Sequence, residues 1–309
     1  MLGLRVRVGS AALLVGLVLA VTGFDHGTAQ CGSIGKVALS LVDVGGRPAP
    51  GLSVNPSSVS STAVNSATEL CSGNHTSATL YAASGYDFNG PFGVAADPSG
   101  NIWITNHYGD TVTELPAGNY TTPVVYAGSS YDFVMPIGIA VDANGNIWIT
   151  SNHGNAVTEL PAGDFTSPVV YTGSSYGFND PFGVAVDPDG NIWITNENGN
   201  SVTELLSGDY TRPVVYSGSN YGFSGPRGVA ADADGNIWIT NEYGNSLTEL
   251  PAGNYTNPAV YSGSDYGFNS PPGVAADPAG NIWITNESAN SVTELPAGNY
   301  TNPTLYSLY

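Results

Sequence analysis

Five tryptophans, Trp103, Trp148, Trp193, Trp238 and Trp283, stand 45 residues apart, and the residues around them repeat with them. Gly190-Asn191-Ile192-Trp193-Ile194-Thr195-Asn196 recurs unchanged at residues 100–106, 235–241 and 280–286, and with one change at 145–151. A fixed period of this length means an array of equivalent units, none of which can bury its apolar surface alone.

Each unit reads as four short strands. In the third, residues 183–187 form strand A, a short apolar run, and Asp187-Pro188-Asp189-Gly190 supplies a hairpin turn. Residues 191–195, rich in Ile, Trp and Thr, form strand B, and residues 201–205 form strand C. Residues 213–216 form strand D, and a longer loop leads to the next unit. Strands A and B are apolar on both faces, as suits strands sandwiched between neighbours. Strand C alternates, which places its glutamates (Glu114, Glu159, Glu204, Glu249 and Glu294) on a solvated outer face. Four antiparallel strands at this period predict the blade of a β-propeller.

Complete units cover residues 93–306. Upstream, Ala67-Thr68-Glu69-Leu70 matches strand C, Thr79-Leu80-Tyr81 matches strand D, and residues 36–43 read as a further strand. The expectation is therefore an all-β, six-bladed propeller over residues 30–309. Residues 34–82 form a degenerate blade and residues 83–309 five regular repeats. A parallel β-solenoid, or a five-bladed ring with an N-terminal plug, are the alternatives.

Residues 1–29 have the layout of a secretory signal peptide: Arg5 and Arg7, an apolar run from Ala11 to Val21, then Gly27-Thr28-Ala29. Cleavage after Ala29 predicts a secreted or extracytoplasmic protein, with attachment to the cell envelope as a variant and an uncleaved anchor as the alternative. No later segment could span a bilayer. After cleavage, Lys36, Arg47, Arg212 and Arg227 face 24 acids. Such a surface excludes nucleic acid, whose phosphates need basic partners. Cations, glycans and basic proteins fit better, and a monomer is expected. Cys31 and Cys71 both lie in the irregular region. In an oxidising compartment they are expected to pair, stapling it by about 3–4 kcal/mol in the chain-entropy model.

The string from Pro181 to Asn196, Pro-x-Gly-Val-Ala-x-Asp-x-x-Gly-Asn-Ile-Trp-Ile-Thr-Asn, resembles the NHL repeat. It is also similar to the blades of streptogramin lyases of the virginiamycin B lyase type. The resemblance covers residues 93–306, and more faintly 66–82. It implies a propeller, but a range of functions: sensor domains, protein- or RNA-binding modules, lyases and hydrolases. Two departures stand out. Where the family often has an acid after strand B, this chain has Asn106, Ser151, Asn196, Asn241 and Asn286. The lyases are understood to use a histidine, with a metal, in a late blade, and no histidine follows His153 here.

Identical blades make a symmetric scaffold, so specificity must come from positions where the copies differ. These gather at the end formed by the D–A and B–C connections. The first B–C position reads His107, Asn152, Glu197, Glu242, Glu287, and the second Tyr108, His153, Asn198, Tyr243, Ser288. Just before strand A stand Phe92, Ile137, Phe182, Arg227 and Pro272. The expected binding set is Arg227, which could hold an anion through paired hydrogen bonds, with Glu197, Glu242, Glu287 and the loop tyrosines Tyr176, Tyr221 and Tyr266. His107, His153 and Arg227 are the candidates for catalysis, and two histidines do not make a metal site. No cofactor is expected. Calcium or magnesium would be the ion if the Asp187–Gly190 or Asp232–Gly235 loops bound one, but they lack the later ligands and read as turns. The leading functional expectation is a recognition scaffold for protein or glycan. A lyase or hydrolase at the channel mouth, and a structural envelope protein, are the alternatives.

Overall fold

The computed structural model describes residues 37–39, 65–70, 78–82 and 84–307. It is an all-β propeller with five four-stranded antiparallel blades, not the six expected. Blade 1 comprises Pro91–Ala96, Ile102–Asn106, Thr111–Leu115 and Val124–Tyr126. Blade 2 comprises Pro136–Val141, Ile147–Ser151, Ala156–Leu160 and Val169–Thr172. Blade 3 comprises Pro181–Val186, Ile192–Asn196, Ser201–Leu206 and Asp209–Ser217. Blade 4 comprises Pro226–Ala231, Ile237–Asn241, Ser246–Leu250 and Ala259–Ser262. Blade 5 comprises Gly273–Ala276, Ile282–Asn286, Ser291–Leu295 and Thr304–Ser307. Strand D is longest in blade 3, where Leu206 pairs with Asp209. The other blades have Pro116, Pro161, Pro251 or Pro296 there, and proline has no N–H to extend the ladder.

The sixth unit is a three-stranded sheet of Val37–Leu39, Ala67–Leu70 and Ala78–Tyr81. Its last two strands hold the C and D registers expected from sequence. The first pairs directly with the C strand, so it stands in the place of strand B. The expected signal peptide and both cysteines lie outside the described residues. Among the described residues no helix is long and apolar enough to cross a membrane.

Inside a blade, one aspartate organises the A–B turn. Asp187 Oδ1 accepts the backbone N–H groups of Asp189 and Asn191, and its Oδ2 accepts from Asn191 Nδ2 and Trp193 Nε1. Asp97, Asp142, Asp232 and Asp277 repeat the arrangement. The indole N–H is thereby satisfied, which lets the largest side chain of the repeat be wholly buried. Trp103, Trp148, Trp193 and Trp238 are each stacked by a strand-D tyrosine of their own blade. Each is also met edge-on by Phe165, Tyr210, Tyr255 or Tyr300 of the next blade. Among the described residues Trp283 is stacked only by Tyr306, which is 49% exposed.

Blades are stitched through strand B. Thr195 Oγ1 accepts the Gly183 N–H of its own blade at 2.8 Å and donates to the Arg227 carbonyl of the next blade at 2.7 Å. Thr105 and Thr150 do the same for their neighbours. Strand A of each blade lies against strand A of the next. The approach is so close that a Cβ on Gly183 would sit 2.4 Å from the Arg227 carbonyl oxygen. Glycine in Pro-x-Gly-Val-Ala is therefore a requirement of ring assembly.

In blades 1 to 3 the strand-C glutamates are not on a solvated face. Glu114, Glu159 and Glu204 are buried, and each accepts a hydrogen bond from a strand-D tyrosine: Tyr126, Tyr171 and Tyr216, all at 2.7 Å. Glu249 and Glu294 keep the same partner type, Tyr261 and Tyr306. Strand C does alternate, but in blades 1 to 4 its second face is covered by an aromatic ring of the following blade. Burial raises the Glu204 carboxyl above its ordinary value, with the Tyr216 hydrogen bond opposing and the charge of Asp187 adding.

Candidate functional site

The mouth at the end of the D–A and B–C connections is framed by backbone ties. The fourth residue of each B–C turn, Asp110, Asn155, Asn200 or Asn245, adopts a left-handed conformation. Its side chain accepts an N–H from the D–A loop of the next blade, at Met135, Asp180, Gly225 or Ser270. Asn65 makes the same bond to Gly90, carrying the frame back to the three-stranded sheet. Asn and Asp tolerate this conformation, and their short side chains reach the neighbouring loop. The varying residues thus sit on a fixed rim.

On that rim Arg227, from strand A of blade 4, is clamped. Its Nη2 donates to Glu197 Oε1 of blade 3 at 2.9 Å, and its Nη1 pairs with Glu242 of blade 4. Its guanidinium lies 4.8 Å over the Phe182 ring and 6.0 Å from the Tyr243 ring. Tyr243 also donates to Glu197. Burial acts to lower the Arg227 pKa, but the Glu197 hydrogen bond and the charges of both glutamates outweigh it, so the cation is held more firmly than usual. Burial raises the Glu242 carboxyl, with Arg227 opposing and Glu197 and Glu287 adding. Both terminal nitrogens of Arg227 are therefore taken by the protein's own carboxylates. Arg227 thus sits in an internal ion pair.

Phe182 continues the cluster across the mouth. Its ring meets Phe92 of blade 1 edge-on at 5.7 Å, skipping the intervening Ile137 of blade 2. Phe92 contacts His107 at 6.0 Å, and His107 contacts Tyr108 at 4.8 Å. Tyr108, His107, Phe92, Phe182, Arg227 and Tyr243 thus form one continuous track from blade 1 to blade 4. Its two ends are exposed tyrosines, Tyr108 at 69% and Tyr243 at 59%. Each lies over a glycine of the adjoining loop. A Cβ on Gly90 would come within 2.5 Å of the Tyr108 ring. One on Gly225 would come within 2.4 Å of the Tyr243 ring.

His107 is half-buried, and its Nδ1 has no hydrogen-bond partner. Burial lowers its pKa, the backbone of Met135 and Pro136 pulls upward, and nearby His153 lowers it further. The imidazole is therefore neutral near pH 7. His153 is exposed on blade 2, and Glu287 is half-buried on blade 5. Tyr176, Tyr221 and Tyr266 are not on the track. They pack between blades, stacked on Phe178, Phe223 and Phe268 and beside Trp148, Trp193 and Trp238. Tyr108, Tyr243, Phe92 and Phe182 belong to the track, although the expected binding set omitted them. Their signal was the mismatch between copies at two registers.

Metal chemistry does not fit these residues. Among the described residues no three His, Cys, Asp or Glu side chains converge to hold an ion. Glu197 and Glu242 are engaged by Arg227, and the Asp187 carboxylate is used up within its own turn.

The virginiamycin B lyase family model matches residues 82–301. Comparison with curated proteins finds no match. Among solved structures, a streptogramin B lyase is similar at a TM-score of 0.67 and 19% identity, over 79% of this chain and 76% of its own. A catalytically inactive virginiamycin B lyase from Staphylococcus aureus with quinupristin gives 0.67 at 17% identity, over 79% and 77%. A chain of a nidogen/laminin complex gives 0.59 at 17% identity, over 79% and 94%. At these identities the likeness is one of fold.

Proposed function

The chain belongs to the virginiamycin B lyase family, and on that premise we propose that it is a recognition propeller, secreted or held at the cell surface, that binds a protein or glycan ligand across this mouth. The observation that carries the reading is the track of rings ending in exposed Tyr108 and Tyr243. Two tyrosines held flat against glycines offer rigid faces at low entropic cost, and such faces stack on sugars or peptide side chains. Capture from glycan and peptide arrays tests it. Ligands retained by the wild type should be lost by the double variant Tyr108→Ala, Tyr243→Ala. Equal capture by both would refute the site.

The family itself and His107 favour a second reading, an enzyme of the lyase or hydrolase type. His107 borders the mouth beside Phe92 and Tyr108, and an imidazole whose pKa is lowered by burial can accept a proton. Should turnover of a substrate be found, His107→Ala should reduce it by about 10²–10⁴-fold, the usual share of a general base. Unchanged turnover would eliminate His107 as that base.

A further inference from the structure

The D–A loops meet the mouth through one residue per blade, held alike in all five. Gly90, Met135, Asp180, Gly225 and Ser270 have left-handed backbone, with φ from 47° to 64°. The carbonyl of each accepts the N–H of the first B–C residue, at 2.9–3.3 Å. Three blades carry this conformation with a side chain, so the backbone does not by itself require glycine in the other two. The difference lies in the second B–C residue. Met135, Asp180 and Ser270 stand in register with His153, Asn198 and Ser288. Two of these pairs bond: Asn198 donates to Asp180, and Ser288 Oγ donates to Ser270 Oγ at 3.1 Å. The two glycines stand in register with Tyr108 and Tyr243, and each lies beneath the ring. A Cβ on Gly225 would fall 2.4, 2.7 and 2.8 Å from Cδ2, Cγ and Cε2 of Tyr243. On Gly90 it would fall 2.5–3.2 Å from the same atoms of Tyr108. Rotating the ring in place does not move Cγ, so a side chain at either position displaces the whole ring to another χ1 rotamer.

We propose that Gly90 and Gly225 are positioning residues that fix Tyr108 and Tyr243 as ligand-facing platforms, so that the glycine–tyrosine pair decides which blades offer a tyrosine to a ligand at this mouth. The inference rests on the recognition reading and names what sets its specificity. One face of each ring is taken by the glycine, and the rest stays open to the mouth. A ring already held in one rotamer loses little entropy when a ligand stacks on it. Blades 3 and 5 use the same position for a polar side-chain bond instead.

Tyr243 reports its own position. Its hydroxyl donates to Glu197, and that bond, followed by burial and the Glu197 charge, holds its phenol pKa above the ordinary value. An NMR titration of tyrosines isotope-labelled at Cζ follows it, with Tyr243→Phe identifying the signal. Gly225→Ser, which copies the residue of blade 5, should return the Tyr243 pKa to the ordinary value. Gly253→Ser, at a left-handed glycine with open space around it, should leave it raised. Melting temperatures confirm that each variant is folded. On the glycan and peptide arrays, Gly225→Ser and Gly90→Ser should each reduce capture about two- to tenfold, the usual share of one aromatic contact. An unchanged Tyr243 titration in Gly225→Ser overturns the positioning role and leaves the recognition reading standing. So does a fall in Gly253→Ser as large as that in Gly225→Ser. A lowered value with wild-type capture overturns the specificity role. If the wild type captures nothing, the recognition reading fails and takes the specificity role with it, while the titration still decides the positioning.

Discussion

At the end of the propeller that carries the A–B turns, Asp97, Asp142, Asp187, Asp232 and Asp277 each hold a tryptophan indole in the same way. At the opposite end, equivalent positions touch through chemistry that varies between blades. Tyr108 lies on Gly90, Asn198 bonds Asp180, Tyr243 lies on Gly225, and Ser288 bonds Ser270. Both sets are turn residues at one period on one scaffold. The first is constrained because a buried indole N–H without its acceptor destabilises every blade. The second is not, because exposed turn residues contribute little to stability. Variation among copies therefore marks the surface free to take on a ligand.

The contrast predicts opposite outcomes for substitutions at the two ends. Trp193→Ala should cost about 3–5 kcal/mol in denaturant unfolding, the range for a buried large aromatic, and should leave ligand capture by the folded fraction unchanged. Gly183→Ala tests where the two ends connect. Its methyl would strike the carbonyl of Arg227, so about 1–3 kcal/mol of stability should be lost, as for overpacking, and ligand capture should weaken too. Intact capture would show that strand A yields without moving the Arg227 clamp.

Acid tests the framework by itself. Burial raises the Glu204 carboxyl above its unfolded value of 4.5, as it does for Glu114 and Glu159. A carboxyl raised in the folded state binds its proton more tightly there. Its stabilising contribution is present below pH 4.5 and is lost as pH rises through the higher folded value. The melting point should thus rise as pH falls from 7.5 towards about 4.5, the lower edge of that window. Glu204→Gln, which keeps an acceptor for Tyr216 but carries no charge, should flatten the rise. A melting point that falls steadily over this range would contradict the assignment. The smallest stability effect belongs to the mouth. Tyr243→Ala should change unfolding free energy by only about 0.5 kcal/mol, as for exposed sites, while capture of ligand is lost.

The strands were legible because their signals are local. Ile-Trp-Ile-Thr between a turn and a polar stretch can hardly be anything but a strand, and the recurrence every 45 residues made it a blade. Two expectations failed for reasons outside the repeat. The strand-C glutamates follow an alternation that normally reports solvent, but Phe165 of the next blade lies over Trp103 and Tyr126 and closes the face that Glu114 shares. The count of six four-stranded blades failed because the strand at 37–39 pairs straight onto the C strand, leaving a three-stranded sheet. Tyr176, Tyr221 and Tyr266 lie in the D–A loops. Those loops fold inward between blades, where the rings find Phe178, Phe223 and Phe268.

By itself, then, the amino-acid sequence determined the blade, its hairpins and the ring of positions where copies differ, since hydrogen bonding within a hairpin and apolar periodicity act over a few residues. Only the tertiary structure decided which of those differing residues meet. Arg227 and Glu197 are 30 residues apart in the chain, and Tyr243 and Glu197 are 46 apart. Contacts at that separation exist only after the blades have closed against one another. That closure places Arg227 in an ion pair with carboxylates of two blades.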